Sequence, residues 1–191
     1  MTEIILGICL GIGLAASTGF RVFVPLFAMS LAAYFGILPL GENRLWLGSM
    51  TALVILGVAS VVESLSYLVP VVDNLLDTIA VPLAGVAGTI VMASSLTDLS
   101  PAVTWALAIV AGGGAATAVK TTSAATRAVS TATTAGTANP VIGLAETGTA
   151  IGLSALSIFA PVVAAAVAVI GLIIFIWAMM KLKNRLSDDT K

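Results

Sequence analysis

The chain has no histidine and one cysteine, Cys9, and only 9% of its 191 residues are charged. Without histidine and with a single cysteine, the chain cannot form a His/Cys zinc site, a Ser-His-Asp or Cys-His triad, or an internal disulfide. We therefore expect no enzymatic activity, no metal site and no cofactor. Eight Lys and Arg residues against nine Asp and Glu residues give a net charge of −1, which excludes the basic surface that nucleic acids require.

Hydrophobic residues are abundant instead, at 59% of the chain with a mean hydropathy of +1.15. Most uncharged stretches between successive charges are close to the roughly 20 residues that a helix needs to cross a hydrocarbon core. These stretches are 4–20, 22–41, 45–62, 78–97, 99–119, 128–145 and 147–180. They predict an all-α fold, a polytopic transmembrane bundle of about six to eight helical segments. The bundle forms one membrane domain over 1–186, and 187–191 form a short polar tail.

Prolines set most of the predicted helix ends, because proline disfavours helical backbone in the residue before it. The predicted helices are 3–17, 19–37, 45–68, 71–96, 101–118, 119–134, 140–159 and 161–185. The sequence leaves open whether Pro82 interrupts the fourth helix. It also leaves open whether 119–134 crosses the membrane, re-enters it or lies on it.

The C-terminal charges predict an orientation. Lys181, Lys183 and Arg185 follow an apolar run that contains Trp177. Because cytoplasmic segments are enriched in Lys and Arg, this pattern predicts a cytoplasmic C-terminus.

One order of features occurs twice, which suggests an internal repeat with halves 1–98 and 99–186. A glycine- and alanine-rich segment runs into a cation, Arg21 or Lys120. An apolar helix with one glutamate follows, with Glu63 or Glu146, and then a helix that begins at proline. Transporters built from structural repeats leave such patterns, but small residues also recur in unrelated membrane helices. Whether the repeat is real, and inverted or parallel, stays open.

Five charged residues lie inside or beside the apolar runs: Arg21, Glu63, Lys120, Arg127 and Glu146. A lone ionised side chain near the bilayer centre costs roughly 2.5–3.5 kcal/mol, so each is expected to face water or a partner in the interior. Together they predict an intramembrane polar site. Isolated salt bridges between helices are the alternative for each of them.

Ser17 and Thr18 lie one helical turn before Arg21. A helix break at Ser17–Thr18–Gly19 would place hydroxyls, free backbone amides and a guanidinium together, as in an anion-binding helix start. Ser17 and Thr18 are therefore candidate binding residues.

The segment 117–137 is unusually polar for a membrane protein. On a helix, its residues Lys120, Ser123, Arg127, Ser130 and Thr134 form one stripe. The stripe is predicted to line an anion path or to hold a lipid phosphate. The alternative is a helix that is buried in the bundle or lies at the interface, with cations that snorkel to headgroups.

Asp73 and Asp77 are one turn apart on a short amphipathic segment, which predicts an interfacial acidic pair at a membrane boundary. Two carboxylates offer too few oxygens for a calcium or magnesium site.

Several of these motifs together resemble one known family. They are Ala15–Arg21, Val24-Pro-Leu26, Glu63, Pro70-Val-Val-Asp73, Asp77, Pro82-Leu-Ala-Gly85, Gly113-Gly114, Lys120, Arg127, Asn139-Pro140 and Glu146. In this order they resemble the domain-of-unknown-function 4126 family of small bacterial integral membrane proteins. The resemblance implies a polytopic protein of the bacterial inner membrane and implies no activity. Members often carry an Asp-Lys pair before the Pro-x-Val-Asp segment and a histidine near Lys120, and this chain has neither.

Two functional hypotheses remain. In the first, the protein is a small transporter or channel-like protein in which Arg21, Lys120 and Arg127 bind an anionic small molecule or lipid headgroup. Glu63 and Glu146 then act as counter-charges or proton sites. In the second, it is a structural or accessory membrane protein, a subunit or homo-oligomer, whose charges are dry interhelical bridges. The expected partners are the lipid bilayer, a small anion and a second copy of the chain.

Overall fold

The computed structural model describes the backbone of residues 1–38, 42–68, 70–97 and 99–188. It describes their side chains except at 42–44, 70–75, 77–78, 175–176, 178–180 and 182–188. The helices are α1 (Thr2–Phe20), α2 (Phe23–Tyr34), α3 (Met50–Ser66), α4 (Pro70–Ser95), α5 (Pro101–Leu107), α6 (Gly114–Thr134), α7 (Asn139–Phe159) and α8 (Pro161–Asp188). A 3-10 helix, Glu42–Gly48, precedes α3, and a π-helical segment, Ala108–Gly113, joins α5 to α6.

The predicted all-α class is confirmed, since the described residues contain helices, turns and bends and no strand. Three helical stretches within them are long and apolar enough to cross a membrane: Thr2–Phe20, Pro101–Thr134 and Asn139–Phe159. Shorter apolar helices, among them Phe23–Tyr34 and Met50–Ser66, complete the bundle.

The predicted helix break at Ser17–Thr18–Gly19 is wrong. Helix α1 continues to Phe20, and the chain becomes extended at Arg21, with φ −141° and ψ 125°. The helix continues because both hydroxyls bond within the helical bundle. Thr18 Oγ1 donates to the carbonyl of Leu14, and Ser17 Oγ donates to the carbonyl of Ala150.

The predicted division into helices 101–118 and 119–134 is also wrong. Helices α5 and α6 form one continuous stretch, Pro101–Thr134, that includes the π-helical segment. Pro82 does not interrupt α4, and it lies on an exposed side of that helix.

Helix α1 is at the centre of the bundle and packs against α4, α6, α7 and α8. Glycines permit this close packing. A Cβ on Gly19 would lie 2.7 Å from the carbonyl oxygen of Ala116 in α6. Gly88 of α4 and Gly112 of the π-helical segment face each other, since a Cβ on Gly88 would lie 2.7 Å from the Gly112 oxygen. The end of α1 is held by the Gly19 contact against Ala116 and Val119 of α6.

Candidate functional site

Three cationic side chains converge in the interior of the bundle, where α1, α3, α6 and α7 meet. Arg21 is 0% exposed, and Lys120 and Arg127 are each 1% exposed. We call these three residues the cation cluster. The sequence predicted each of them as an intramembrane charge, and the structure brings them together around one aromatic ring and one carboxylate.

Arg21 joins the end of α1 to α7. Its Nε donates to Thr147 Oγ1 at 3.0 Å, and its Nη2 donates to the carbonyl oxygen of Gly143 at 2.8 Å. Its Nη1 donates to Glu146 Oε2 and to the carbonyl oxygen of Phe20, both at 3.0 Å. The extended backbone at Arg21 follows the last turn of α1, and three of the four acceptors belong to α7.

Glu146 is the acceptor shared by the two arginines. Its Oε2 accepts from Arg21 and from Arg127 Nη2, and its Oε1 accepts from Arg127 Nε at 3.3 Å and from Ser123 Oγ. The side chain is 6% exposed. One carboxylate of α7 therefore pairs with a guanidinium from α1 and another from α6, as a buried carboxylate must to offset its desolvation.

Tyr67, the C-cap residue of α3, lies between the three cations. Its ring centroid is 4.0 Å from Arg21 Cζ, 4.5 Å from Arg127 Cζ and 4.6 Å from Lys120 Nζ. Its phenol oxygen also accepts a hydrogen bond from Lys120 Nζ at 2.8 Å. The tyrosine is 2% exposed, so it is part of the site and not of the membrane interface.

Tyr67 is not among the site residues that the sequence predicts. A tyrosine at the end of an apolar run has the pattern of an interfacial aromatic residue. The one available signal was its position between Glu63 and the proline that begins α4, and that signal is weak without a structure.

Glu63 binds backbone amides instead of a cation. Its Oε1 accepts from the N–H of Val22 at 2.7 Å, and its Oε2 accepts from the N–H of Phe23 at 2.9 Å. These are the free amides at the start of α2, where a negative charge is favoured. The free amides of a helix start therefore lie at Val22 and Phe23 and not at Ser17–Gly19 as predicted, and a carboxylate of the protein binds them.

The polar stripe of α6 faces inward. Lys120, Ser123, Arg127 and Ser130 are buried, and Thr134 is half-buried. Ser123 binds Glu146. Ser130 Oγ is buried and has no hydrogen-bond partner within the described part of the chain.

Two other predicted binding residues lie away from the cation cluster. Ser17 Oγ is 2.8 Å from Ser154 Oγ, besides its bond to Ala150, and Thr18 bonds only its own helix. The Ser17 hydroxyl therefore joins α1 to α7, and the Thr18 hydroxyl bonds within α1. Asp73 and Asp77, the predicted interfacial pair, are on α4, and their side chains lie outside the described residues.

A crevice of about 670 Å³ opens beside the cluster between α6, α7 and α8, with α1 at its base. Ser123 and Glu146 form part of its wall, next to Thr126 and Thr149. The rest of the lining is mainly apolar and includes Phe20, Leu153, Leu156 and Leu172. Glu146, which pairs with both arginines, therefore also lines a space at the side of the bundle.

Within the described residues, no three His, Cys, Asp or Glu side chains lie close enough together to hold a metal ion. The chemistry that this arrangement offers is charge-assisted hydrogen bonding to an anion, together with protonation of a carboxylate.

Comparison with known proteins gives a family and no activity. No curated protein and no solved structure matches the chain. The model of one family, described as a domain of unknown function (DUF4126), matches residues 8–181 and so includes all the residues of the site. The match confirms the resemblance seen in the sequence, and the chain belongs to the DUF4126 family.

Proposed function

We propose that this protein is a small membrane transporter or channel-like protein whose intramembrane site binds an anionic group on Arg21, Lys120 and Arg127. The anion is a small solute or a lipid headgroup. The position of Glu146 is the observation that carries the proposal. Its carboxylate joins two buried arginines, and the residue lines the crevice between α6, α7 and α8.

Charge balance links the anion to a proton. The guanidinium groups of Arg21 and Arg127 are completely buried and share the Glu146 carboxylate. If Glu146 takes up a proton, both guanidinium groups lose one negative charge that offsets their burial. An anion that reaches the cluster restores that charge. The bound proton offsets one negative charge of the anion that enters the site, so we propose proton-coupled anion binding.

The interruption between α1 and α2 supports a binding role. Transporter sites often lie where a membrane helix is interrupted and the start of the next helix points at a negative group. Here the chain leaves α1 at Arg21, and the first amides of α2 bind Glu63. Glu63 is thus a second counter-charge or proton site. It lies beside the cation cluster, because the amide of Val22 that it binds belongs to the residue after Arg21.

The proposal also covers the membrane in which the protein lies and the side on which its C-terminus lies. Apolar helices long enough to cross a bilayer indicate a membrane protein, and we propose the bacterial inner membrane with a cytoplasmic C-terminus. Lys181 Nζ lies 4.9 Å from the ring centroid of Trp177, a pair suited to the level of the headgroups. The proposed internal repeat and a homo-oligomer remain predictions.

The alternative function is a structural or accessory role, and one observation favours it. Each described donor bond of Arg21 ends on a protein acceptor, and the side chain is completely buried. In that role the cation cluster is a dry brace that fixes α1, α6 and α7, and the crevice is filled by lipid tails.

Two measurements distinguish these functions. In a Cys9→Ala background, single cysteines at Ser123, Thr126 and Thr149 are treated with a charged, membrane-impermeant thiol reagent. Cysteines at Leu14, which is 0% exposed, and at Ile173, which is 60% exposed on α8, are the buried and lipid-facing controls. Transport predicts labelling of the three crevice positions and of neither control. An unlabelled crevice in folded protein contradicts the transport proposal and supports the brace.

The second measurement is flux. Purified protein in liposomes is expected to take up small anions faster when the outside is acidic, and Glu146→Gln is expected to abolish the dependence on the pH gradient. Glu3→Gln is the matched control, because Glu3 is exposed in the first turn of α1. Absence of anion flux at any pH gradient would overturn the proposal.

A further inference from the structure

The ring of Tyr67 lies where a ligand of the cation cluster would lie. Each of the three cationic groups is 4.0 to 4.6 Å from the ring centroid. The cations come from two separate elements, the end of α1 and the inner face of α6. The ring is therefore the point that all three share, and the neighbouring Glu146 binds the two arginines.

These distances match one class of ligand. An oxygen of a phosphate lies about 1.5 Å from the central atom and accepts charge-assisted hydrogen bonds at about 2.8 Å, which places the central atom about 4 Å from each donor. A guanidinium that binds through two nitrogens has its Cζ at a similar distance. Two arginines and a lysine are also the residues that proteins use for phosphate, the arginines for paired hydrogen bonds and the lysine as a point charge.

We propose that the cation cluster is a binding site for a tetrahedral oxyanion, and that the Tyr67 ring occupies this site until the oxyanion takes its place. This proposal rests on the proposed function and narrows its substrate class to phosphate, a phosphate ester or sulfate. A carboxylate is planar and offers two oxygens for three cations, whereas a tetrahedral oxyanion offers one oxygen to each cation and one more.

The ring suits this role because it is attractive to cations and carries no charge. An aromatic face attracts Lys and Arg through its quadrupole, more weakly than an anion does. It can hold the three cations near one another without competing strongly against the ligand. Tyr67 follows Ser66, the last residue of α3, so the proposed displacement of its ring does not require that helix to unwind.

The shared ligand chemistry has two sources, a free oxyanion and a lipid phosphate. The crevice bordered by Ser123 and Glu146 gives either source an approach from the side of the bundle. Its apolar lining, which includes Leu156 and Leu172, offers space for an acyl chain. Titration with phosphate tests the oxyanion site itself, and nanodiscs with and without phosphatidic acid separate the two sources.

The test removes the ring and measures anion binding directly. Tyr67→Ala, purified in a detergent without phosphorus, is titrated with sodium phosphate, sulfate, acetate and chloride at equal ionic strength, with thermal unfolding and calorimetry as readouts. We expect phosphate and sulfate to bind at least tenfold more tightly than acetate or chloride. Tyr67→Phe, which keeps the ring, is expected to bind phosphate at least tenfold more weakly than Tyr67→Ala.

The chain offers matched controls for both residue types. Tyr34→Ala, at an exposed tyrosine, is expected to bind phosphate as the wild type does. Lys120→Met in the Tyr67→Ala background is expected to lower phosphate affinity at least tenfold, whereas Lys181→Met at an exposed lysine leaves it unchanged. A folded Tyr67→Ala protein that binds phosphate no better than chloride overturns the proposal. If Tyr67→Ala does not fold, the same titrations are made on Tyr67→Leu and on the wild type. If neither protein binds phosphate better than chloride, the proposal is overturned.

A second arm identifies the source of the oxyanion. Protein in nanodiscs of phosphorus-free glycolipid, with and without phosphatidic acid, is examined by native mass spectrometry before and after addition of inorganic phosphate. Retained phosphatidic acid that phosphate displaces supports the site with a lipid headgroup as its ligand, and phosphate binding alone supports it with a free anion. Phosphate binding without flux would keep this site and overturn the transport proposal. Flux of chloride or acetate without phosphate binding would do the reverse.

Discussion

Arg21 and Glu146 are 125 positions apart in the chain, and their side chains meet in the interior of the bundle with Nη1 3.0 Å from Oε2. Arg127 binds the same carboxylate oxygen. This three-residue contact connects the end of α1 with α6 and α7, and it places an ionisable carboxylate between two permanent cations. Both proposals and several measurable consequences depend on it.

Glu146→Gln is expected to lower the free energy of unfolding by about 3–5 kcal/mol, the typical cost of removing one partner from a buried ion pair. The loss is large because two guanidinium groups stay buried without their carboxylate. Denaturant titration in detergent micelles measures it, with Glu3→Gln as the exposed control. An equal, small effect of both substitutions would mean that the cluster contributes little to stability.

A double substitution tests whether Glu146 and Arg127 act as a pair. Arg127→Gln together with Glu146→Gln is expected to cost less than the sum of the two single changes, by about 0.5–3 kcal/mol. The reason is that each single change removes the same Arg127–Glu146 ion pair, so the sum of the two counts its loss twice. Strict additivity of the two free-energy changes would contradict the direct contact.

Glu63→Gln is expected to loosen the start of α2. The carboxylate binds the amides of Val22 and Phe23, and a negative charge at a helix start contributes about 0.3–1 kcal/mol, rising to about 2 kcal/mol in partly buried sites. Hydrogen exchange is the sensitive measurement, and we expect faster exchange at these two amides and unchanged exchange in the middle of α7. Unaltered protection of both amides would exclude this capping role.

Gly19→Ala is expected to destabilise the protein by about 1–3 kcal/mol, because the added methyl group would overlap the Ala116 carbonyl and push α1 from α6. Gly148→Ala in α7 is the matched control, since no atom of another helix in the described part of the chain lies within 4 Å of its Cβ position. The control is expected to leave stability unchanged or raise it by up to about 1 kcal/mol. Equal effects of the two alanines would show that the α1–α6 contact is looser than described.

Ser17→Val is expected to weaken the packing of α1 on α7 without altering anion binding. Ser17 bonds the Ala150 carbonyl and Ser154, and hydrogen bonds between membrane helices contribute about 0.6 kcal/mol on average. The measurements are thermal unfolding and phosphate titration of the same sample. A selective loss of phosphate affinity would return Ser17 to the binding residues that the sequence predicted.

Local patterns in the sequence predicted the helical class and the starts of α4, α5, α7 and α8 to within one residue. The prolines at 70, 101, 140 and 161 lie at the first or second residue of α4, α5, α7 and α8, because proline restricts the residue before it. Sequence patterns gave wrong helix boundaries at positions where contacts between helices determine whether a helix continues. Ser17 and Thr18 allow α1 to continue because α7 and the helix itself use their hydroxyls. The π-helical segment includes Gly112, which packs against α4.

The same division applies to the site. The sequence by itself determined that Arg21, Lys120, Arg127 and Glu146 lie within a nearly uncharged chain, and the cost of burying charge predicted that they would face the interior. Only the tertiary structure decided which atoms meet, because the contacts join residues far apart in the chain and depend on how closely the glycines let the helices pack. That packing directs Glu63 to the amides of α2 and places Tyr67, an ordinary residue in the sequence, at the point where three cations converge.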